Sequence, residues 1–221
     1  MKYKYVLFDF DGTLADTIPL ILESFQHVFV LLTGKEADKG FVMSTIGEPL
    51  ERTFEILPEN LRQTAVDEYV KYNIANLEEK VVLFPGMIEM LKRLADEGVI
   101  MAVVTSKRYR TAMITIDQYD IGKFFTVVTA RERTLLHKPN PEPIFATIED
   151  IKSKVQQNEQ ILPAEVLFVG DSVHDLHCAR NAGMDYAMVD WTYMDKDELK
   201  AQGPDYWIMT GEELVDICLG R

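Results

Sequence analysis

Two cysteines in 221 residues, Cys178 and Cys218, are too few for a disulfide framework, and neither stands in a metal-type pair. Both read as small core residues. Long apolar runs are also missing: no stretch approaches the roughly 18 consecutive apolar residues of a membrane span. The amino end is basic, then apolar, but Asp9 and Asp11 interrupt it too early for a signal peptide. The expectation is a cytoplasmic protein with no membrane partner. Basic charge is scarce, with 23 Lys and Arg against 36 Asp and Glu, a formal charge of −13. Such a chain repels phosphate backbones at long range, which argues against a nucleic-acid partner. It leaves a small anionic substrate open, because a buried site sets its own local field. Low-complexity runs and internal repeats are absent as well, and 47% hydrophobic residues supply a packed core without staples.

What is present is an alternation. Tyr5 to Phe8, Val99 to Val104, Phe125 to Val128, Val166 to Val169 and Tyr186 to Val189 are short apolar runs rich in strand formers. Helical patterns separate them. Met87, Met90, Leu91, Leu94 and Ala95 share one face, and Gly98 stops that helix. Asn140-Pro141 and Asp171-Ser172 open two more. Strands alternating with such helices predict a Rossmann-like α/β fold, a parallel sheet with helices on both faces. One interval is too long. A simple crossover needs about 30 residues, yet the first strand and the next core strand near Val99 stand far further apart. Ile18, Ile21, Leu22, Phe25, Val28, Phe29 and Leu32 form one apolar helix face in the surplus, and Leu61, Ala65, Tyr69 and Tyr72 another. The expectation is an all-helical domain, residues 15–81, inserted into a core domain made of residues 1–14 and 82–221.

The strand ends carry the chemistry. In open α/β sheets ligands bind beyond the carboxyl ends of the strands. The first strand runs into Asp9-Phe10-Asp11-Gly12-Thr13, two carboxylates that repel unless a cation or a proton intervenes. Another strand runs into Gly170-Asp171-Ser172-Val173-His174-Asp175. Asp171 could simply cap a helix, but it follows a buried strand just as Asp9 does, so Asp9, Asp11 and Asp171 can converge. Three hard oxygen ligands suit Mg²⁺. A third strand runs into Thr105-Ser106-Lys107, a hydroxyl and backbone N–H groups ahead of a helix, which suits an anion or a helix cap. Lys138 lies in His137-Lys138-Pro139-Asn140-Pro141, where prolines fix the loop around the ammonium.

In this order and at these strand ends, the four elements resemble the haloacid-dehalogenase-type superfamily of phosphohydrolases, in its helical-cap branch. The likeness spans nearly the whole chain. Ile46-Gly47-Glu48-Pro49-Leu50 is similar to the phosphoglycolate phosphatases and their bacterial inorganic pyrophosphatase relatives, and Trp191-Thr192 with Gly203-Pro204-Asp205-Tyr206 looks like the tail of that group. The resemblance implies that Asp9 is the nucleophile and forms an aspartyl-phosphate. Asp11 is then the general acid and base. Mg²⁺ is held by Asp9, the Asp11 carbonyl and Asp171, with Asp175 in support. Thr105 and Ser106 hold phosphoryl oxygens, and Lys138 offsets the crowded negative charge.

Dehalogenases of this superfamily lack the second aspartate, so Asp11 implies phosphate esters or anhydrides. The expected activity is a Mg²⁺-dependent phosphatase for a small anionic metabolite, phosphoglycolate first, with pyrophosphatase, phosphosugar mutase or sugar phosphatase as alternatives, in a monomer or homodimer. A phospho-receiver module fits poorly, because Asp11 two residues from Asp9 favours turnover over a stored phosphoryl group. Glu48 and Arg52 in the helical insert are candidates to reach the substrate, and Arg52 is the expected contact for a second anionic group. Lys107, Arg108 and Arg110 are a basic run of undecided role, and His137, His174 and His177 show no metal spacing.

Overall fold

The computed structural model describes residues 1–156 and 160–221. The strands are β1 (Tyr5–Phe8), β2 (Ala15–Asp16), β3 (Val82–Leu83), β4 (Ile100–Val104), β5 (Phe125–Thr129), β6 (Val166–Gly170), β7 (Asp185–Val189) and β8 (Tyr206–Ile208). The helices are α1 (Ile18–Thr33), α2 (Lys39–Thr45), α3 (Leu50–Thr53), α4 (Glu59–Lys80), α5 (Met87–Asp96), α6 (Tyr109–Gln118), α7 (Glu142–Lys154), α8 (Val173–Asn181), α9 (Lys196–Ala201) and α10 (Gly211–Leu219). None is long and apolar enough to cross a membrane.

Among the described residues six strands form one parallel sheet in the order β5-β4-β1-β6-β7-β8. Alternation along each strand divides the core. Val6, Phe8, Met101, Val103, Leu167 and Val169 face one cluster, filled by Met87, Leu91 and Leu94 of α5, Ile116 of α6 and Leu214 of α10. Tyr5, Leu7, Ala102, Val104, Val166 and Phe168 face the other, filled by Ile144 and Ile151 of α7 and Leu176 of α8. Successive side chains of a strand point to opposite faces, so a sheet covered twice is apolar at every position, as β1 is. All five expected strands are present. The unforeseen β8 is a three-residue edge strand that pairs with β7.

Helices α1 to α4 enclose a third apolar cluster of their own, including Phe25, Val28, Phe54, Ala65 and Tyr69. The insert is not wholly helical. Its first residues, Ala15 and Asp16, pair antiparallel with Leu83 and Val82, a two-stranded neck at the point where the chain leaves and re-enters the sheet. The buried stripe of α4 also differs from the apolar pattern. It runs through Ala65, Tyr69, Asn73 and Leu77, while Tyr72 stacks on His27 with ring centroids 4.2 Å apart. Hydropathy passes over Asn73, which is buried because its Nδ2 donates to Ser24 Oγ at 3.1 Å.

Candidate active site

The central strand β1 lies between β4 and β6, with Phe8 level with Val103 and Val169. The residues that follow these three strands therefore leave the sheet along one edge, and they meet there. Asp9, Asp11, Thr105, Ser106, Lys138 and Asp171 all line a single cavity of about 980 Å³ that includes its open mouth. Lys138 Nζ donates to Asp9 Oδ1 at 2.5 Å and to Asp175 Oδ1 at 2.7 Å, with side-chain exposures of only 5%, 10% and 3% for Lys138, Asp9 and Asp175. Lys107 Nζ donates to Asp11 Oδ1 at 2.9 Å.

Backbone geometry makes the convergence possible. Gly12 has φ +81°, and a Cβ there would lie 2.4 Å from Asp171 Oδ2. Only glycine adopts that conformation freely and admits the carboxylate so closely. Ser172 caps α8 by accepting from the Asp175 N–H, while Asp175 Oδ2 accepts from the Ser172 hydroxyl at 2.6 Å. The cap residue is thus Ser172, and Asp171 is left to face the cavity. The tail stretch fixes both loops: Trp191 Nε1 donates to the Thr13 carbonyl at 3.0 Å and Thr192 Oγ1 to the Asp171 carbonyl at 2.9 Å.

The sequence pattern of the haloacid dehalogenase-like hydrolases matches residues 6–189. The chain belongs to that family. This hydrolase is 34% identical over 220 residues to a protein of Caldanaerobacter subterraneus subsp. tengcongensis provisionally named pyrophosphatase PpaX, covering 100% of this chain and 96% of that one. It is 32% identical over 217 residues to pyrophosphatase PpaX of Halalkalibacterium halodurans, covering 98% and 97%. A provisionally named haloacid dehalogenase-like hydrolase from Bacteroides fragilis superposes with a TM-score of 0.85 at 27% identity, covering 96% of this chain and 100% of that one. A provisionally named phosphoglycolate phosphatase from Lactobacillus plantarum shares the fold, with a TM-score of 0.83 at 22% identity over 98% and 99% of the two chains.

The hydrolase concentrates negative charge where it is costly. Burial pushes the Asp9 carboxyl up to about 7 even though Lys138 pulls it down. Burial, then the Asp175 and Asp9 charges, push Asp171 well above the usual carboxylate range. Burial works against the Lys138 charge, but Asp175 and Asp9 outweigh it and raise its pKa. One oxygen each from Asp9, Asp171 and Asp175 lies within 4.8 Å of the others, and buried Asp171 Oδ2 has no hydrogen-bond partner among the described residues. A divalent cation with a preference for hard oxygen fits this donor set. Asp175 is the least available of the three, because Lys138, the Ser172 hydroxyl and the Ser172 N–H already occupy its oxygens.

Asp171→Asn tests that fit by a route independent of activity. With chelator at pH 7 the variant is expected to be more stable than the native chain, because a neutral amide replaces a buried, crowded carboxylate whose charge costs free energy. The sign follows from linkage. A carboxyl whose folded pKa is raised costs stability as pH climbs from its unfolded value, 3.8, through its folded one. The gain should therefore shrink as the pH falls towards 4. Added Mg²⁺ should raise the melting temperature of the native chain and leave the variant unmoved. An equal Mg²⁺ response in both would remove Asp171 from the cation site.

Of the expected contacts, Arg52 is misplaced. It is exposed on α3 and does not line the cavity, whereas its neighbour Thr53 does. Arg110 is also exposed. Lys107 and Arg108 both line the cavity, as do Glu48 and His174. Gly47 is placed above His174, with its Cβ position 3.7 Å from the imidazole Cδ2. Arg131, Tyr69 and Asn73 are lining residues that motif reading passed over. The signal for Arg131 was available, since it lies just beyond the carboxyl end of β5, separated from it only by Ala130.

Proposed function

We propose that this hydrolase is a Mg²⁺-dependent phosphatase that passes the phosphoryl group of a small anionic compound to Asp9 and then to water. The supporting observation is the placement of the Asp9 carboxylate, buried at the sheet edge with the Lys138 ammonium 2.5 Å away. Phosphoryl transfer depends on positioning and charge neutralisation more than on elaborate covalent chemistry. In this reading Asp9 attacks phosphorus, and the departing oxygen takes a proton from Asp11. Asp11 then withdraws a proton from water, which attacks the aspartyl-phosphate and restores Asp9. Lys107 holds Asp11 by Oδ1, leaving Oδ2 to carry the proton. Thr105, whose Oγ1 accepts from the Lys107 N–H at 3.1 Å, keeps its hydroxyl proton for a phosphoryl oxygen, and Ser106 offers its N–H beside it. Mg²⁺, when bound by Asp9, Asp171 and the Asp11 carbonyl, supplies positive charge to the transferring group, with Asp175 steadying Lys138.

Residues 15–81 serve as a cap over the core of residues 1–14 and 82–221, excluding water and bulky substrates. The reading is compatible with a monomer or homodimer in the cytoplasm. Pyrophosphate is the first substrate to test, because whole-length relatives at 32% and 34% identity carry that name. Phosphoglycolate, also small and multiply charged, is the second. Phosphate release with Mg²⁺ across a panel of compounds is the test. Either anion is expected to exceed hexose phosphates in kcat/KM by about tenfold or more, the scale of one net hydrogen bond to a charged group. A hexose phosphate preference would favour the sugar phosphatase or mutase alternative.

A further inference from the structure

Four Lys and Arg side chains line the cavity among the described residues: Lys107, Arg108, Arg131 and Lys138. Two are committed to the carboxylates of the reaction, Lys107 to Asp11 and Lys138 to Asp9 and Asp175. The other two share a different partner. Arg131 Nη2 lies 2.7 Å from Glu51 Oε2, and Arg108 Nη2 lies 3.1 Å from Glu51 Oε1. Glu51 stands on α3 and does not line the cavity, so one carboxylate holds both guanidiniums from behind. Two positive charges against one negative leave a net positive pole, in a cavity whose other lining charges include Asp9, Asp11, Asp171 and Glu48.

We propose that Arg131 and Arg108 form a subsite for a second anionic group, selecting phosphate compounds that carry a carboxylate or a further phosphate beyond the transferred one. The proposal rests on the reading that the transferred group sits against Asp9, and it names what lies beyond. A guanidinium presents several N–H donors in a fixed plane, so Arg131 can keep Glu51 on Nη2 and turn its remaining donors to the ligand. Glu51 is a positioning residue. It joins α3 to the loops after β4 and β5, so the subsite is assembled only while the helical insert rests on the sheet. In a chain of net charge −13, local cations of this kind are needed to retain a doubly charged ligand.

Equilibrium binding with Mg²⁺ present tests this without turnover. Methylenediphosphonate carries a second anionic group, methylphosphonate lacks one, and neither has a bridging bond that hydrolysis cleaves. The native chain should bind the diphosphonate more tightly by about tenfold to a hundredfold, the range of charge-assisted hydrogen bonds. Arg131→Gln should reduce that ratio to about threefold or less while methylphosphonate binding stays within about twofold, and Arg131→Lys should restore part of it, since the charge remains and the planar fork is lost. Arg108→Gln repeats the test at the other guanidinium should Arg131→Gln fail to fold. An unchanged ratio in a folded variant overturns the subsite. Absence of phosphate release from every compound of the panel would instead overturn the phosphatase reading, and the binding ratio would still decide the subsite.

Discussion

Asp9→Asn is expected to abolish both the acid-trapped phosphoenzyme and steady-state turnover. The drop should be on the order of 10⁴-fold or more, the scale seen when one member of a covalent catalytic unit is removed. An amide is a poor nucleophile towards phosphorus, and the other aspartates that line the cavity are each engaged elsewhere. Asp171 is held against Gly12, Asp175 is tied to Lys138 and Ser172, and Asp11 is paired with Lys107. Ligand binding should survive, because the substitution removes a negative charge that faces an incoming phosphate. Binding and chemistry are thereby separable: titration should show phosphate bound while rapid-quench kinetics show no covalent species. Phosphoenzyme formed at the native level by the variant would move the nucleophile elsewhere.

The second large effect falls on the fold as well as the reaction. Lys138→Met keeps most of the stem but removes the ammonium that sits between Asp9 and Asp175. These carboxylates are almost wholly buried, so losing their shared partner should cost roughly 3–5 kcal/mol of stability at neutral pH. Lys138 is the main influence holding the Asp9 carboxyl down against burial. Without it, Asp9 takes up a proton at still higher pH. The stability gap between variant and native chain should therefore be widest above pH 7 and narrow on acidification, as Asp9 becomes neutral. Denaturant unfolding at a series of pH values measures this directly. A gap that stays constant with pH would mean that Lys138 acts through its ammonium over the Phe168 ring, whose centroid lies 5.2 Å from Nζ.

Much of the active-site assembly was legible in sequence because it depends on where buried strands end. Tyr5 to Phe8 is apolar at every position, and Asp9 follows without a spacer. The same holds for Val104 and Thr105, and for Gly170 and Asp171. In a parallel sheet these ends must share an edge, so one rule located the Asp9, Thr105 and Asp171 loops together. The choice between Arg52 and Arg131 was of another kind. Arg52 is close in sequence to the loop at Gly47 to Leu50, but one step along a helix turns a side chain by about 100°. Thr53 takes the inward position and Arg52 the outward one.

The local order of the chain was thus determined by the sequence itself: strands from continuous apolar runs, helices from their spacing, and reactive carboxylates from their place at strand ends. Hydropathy carries that information because burial is decided one element at a time. Tertiary structure alone decided which charges meet. Lys138 is 129 residues from Asp9 in the chain and Lys107 is 96 from Asp11, and Glu51 reaches across to Arg108 and Arg131 from a separate helical layer. An ion pair depends on the distance and direction between two side chains, which follow from how the elements pack. The closeness of Gly12 to Asp171 has the same origin, since no pattern along the chain shows that a Cβ at one position would strike a carboxylate 159 residues away.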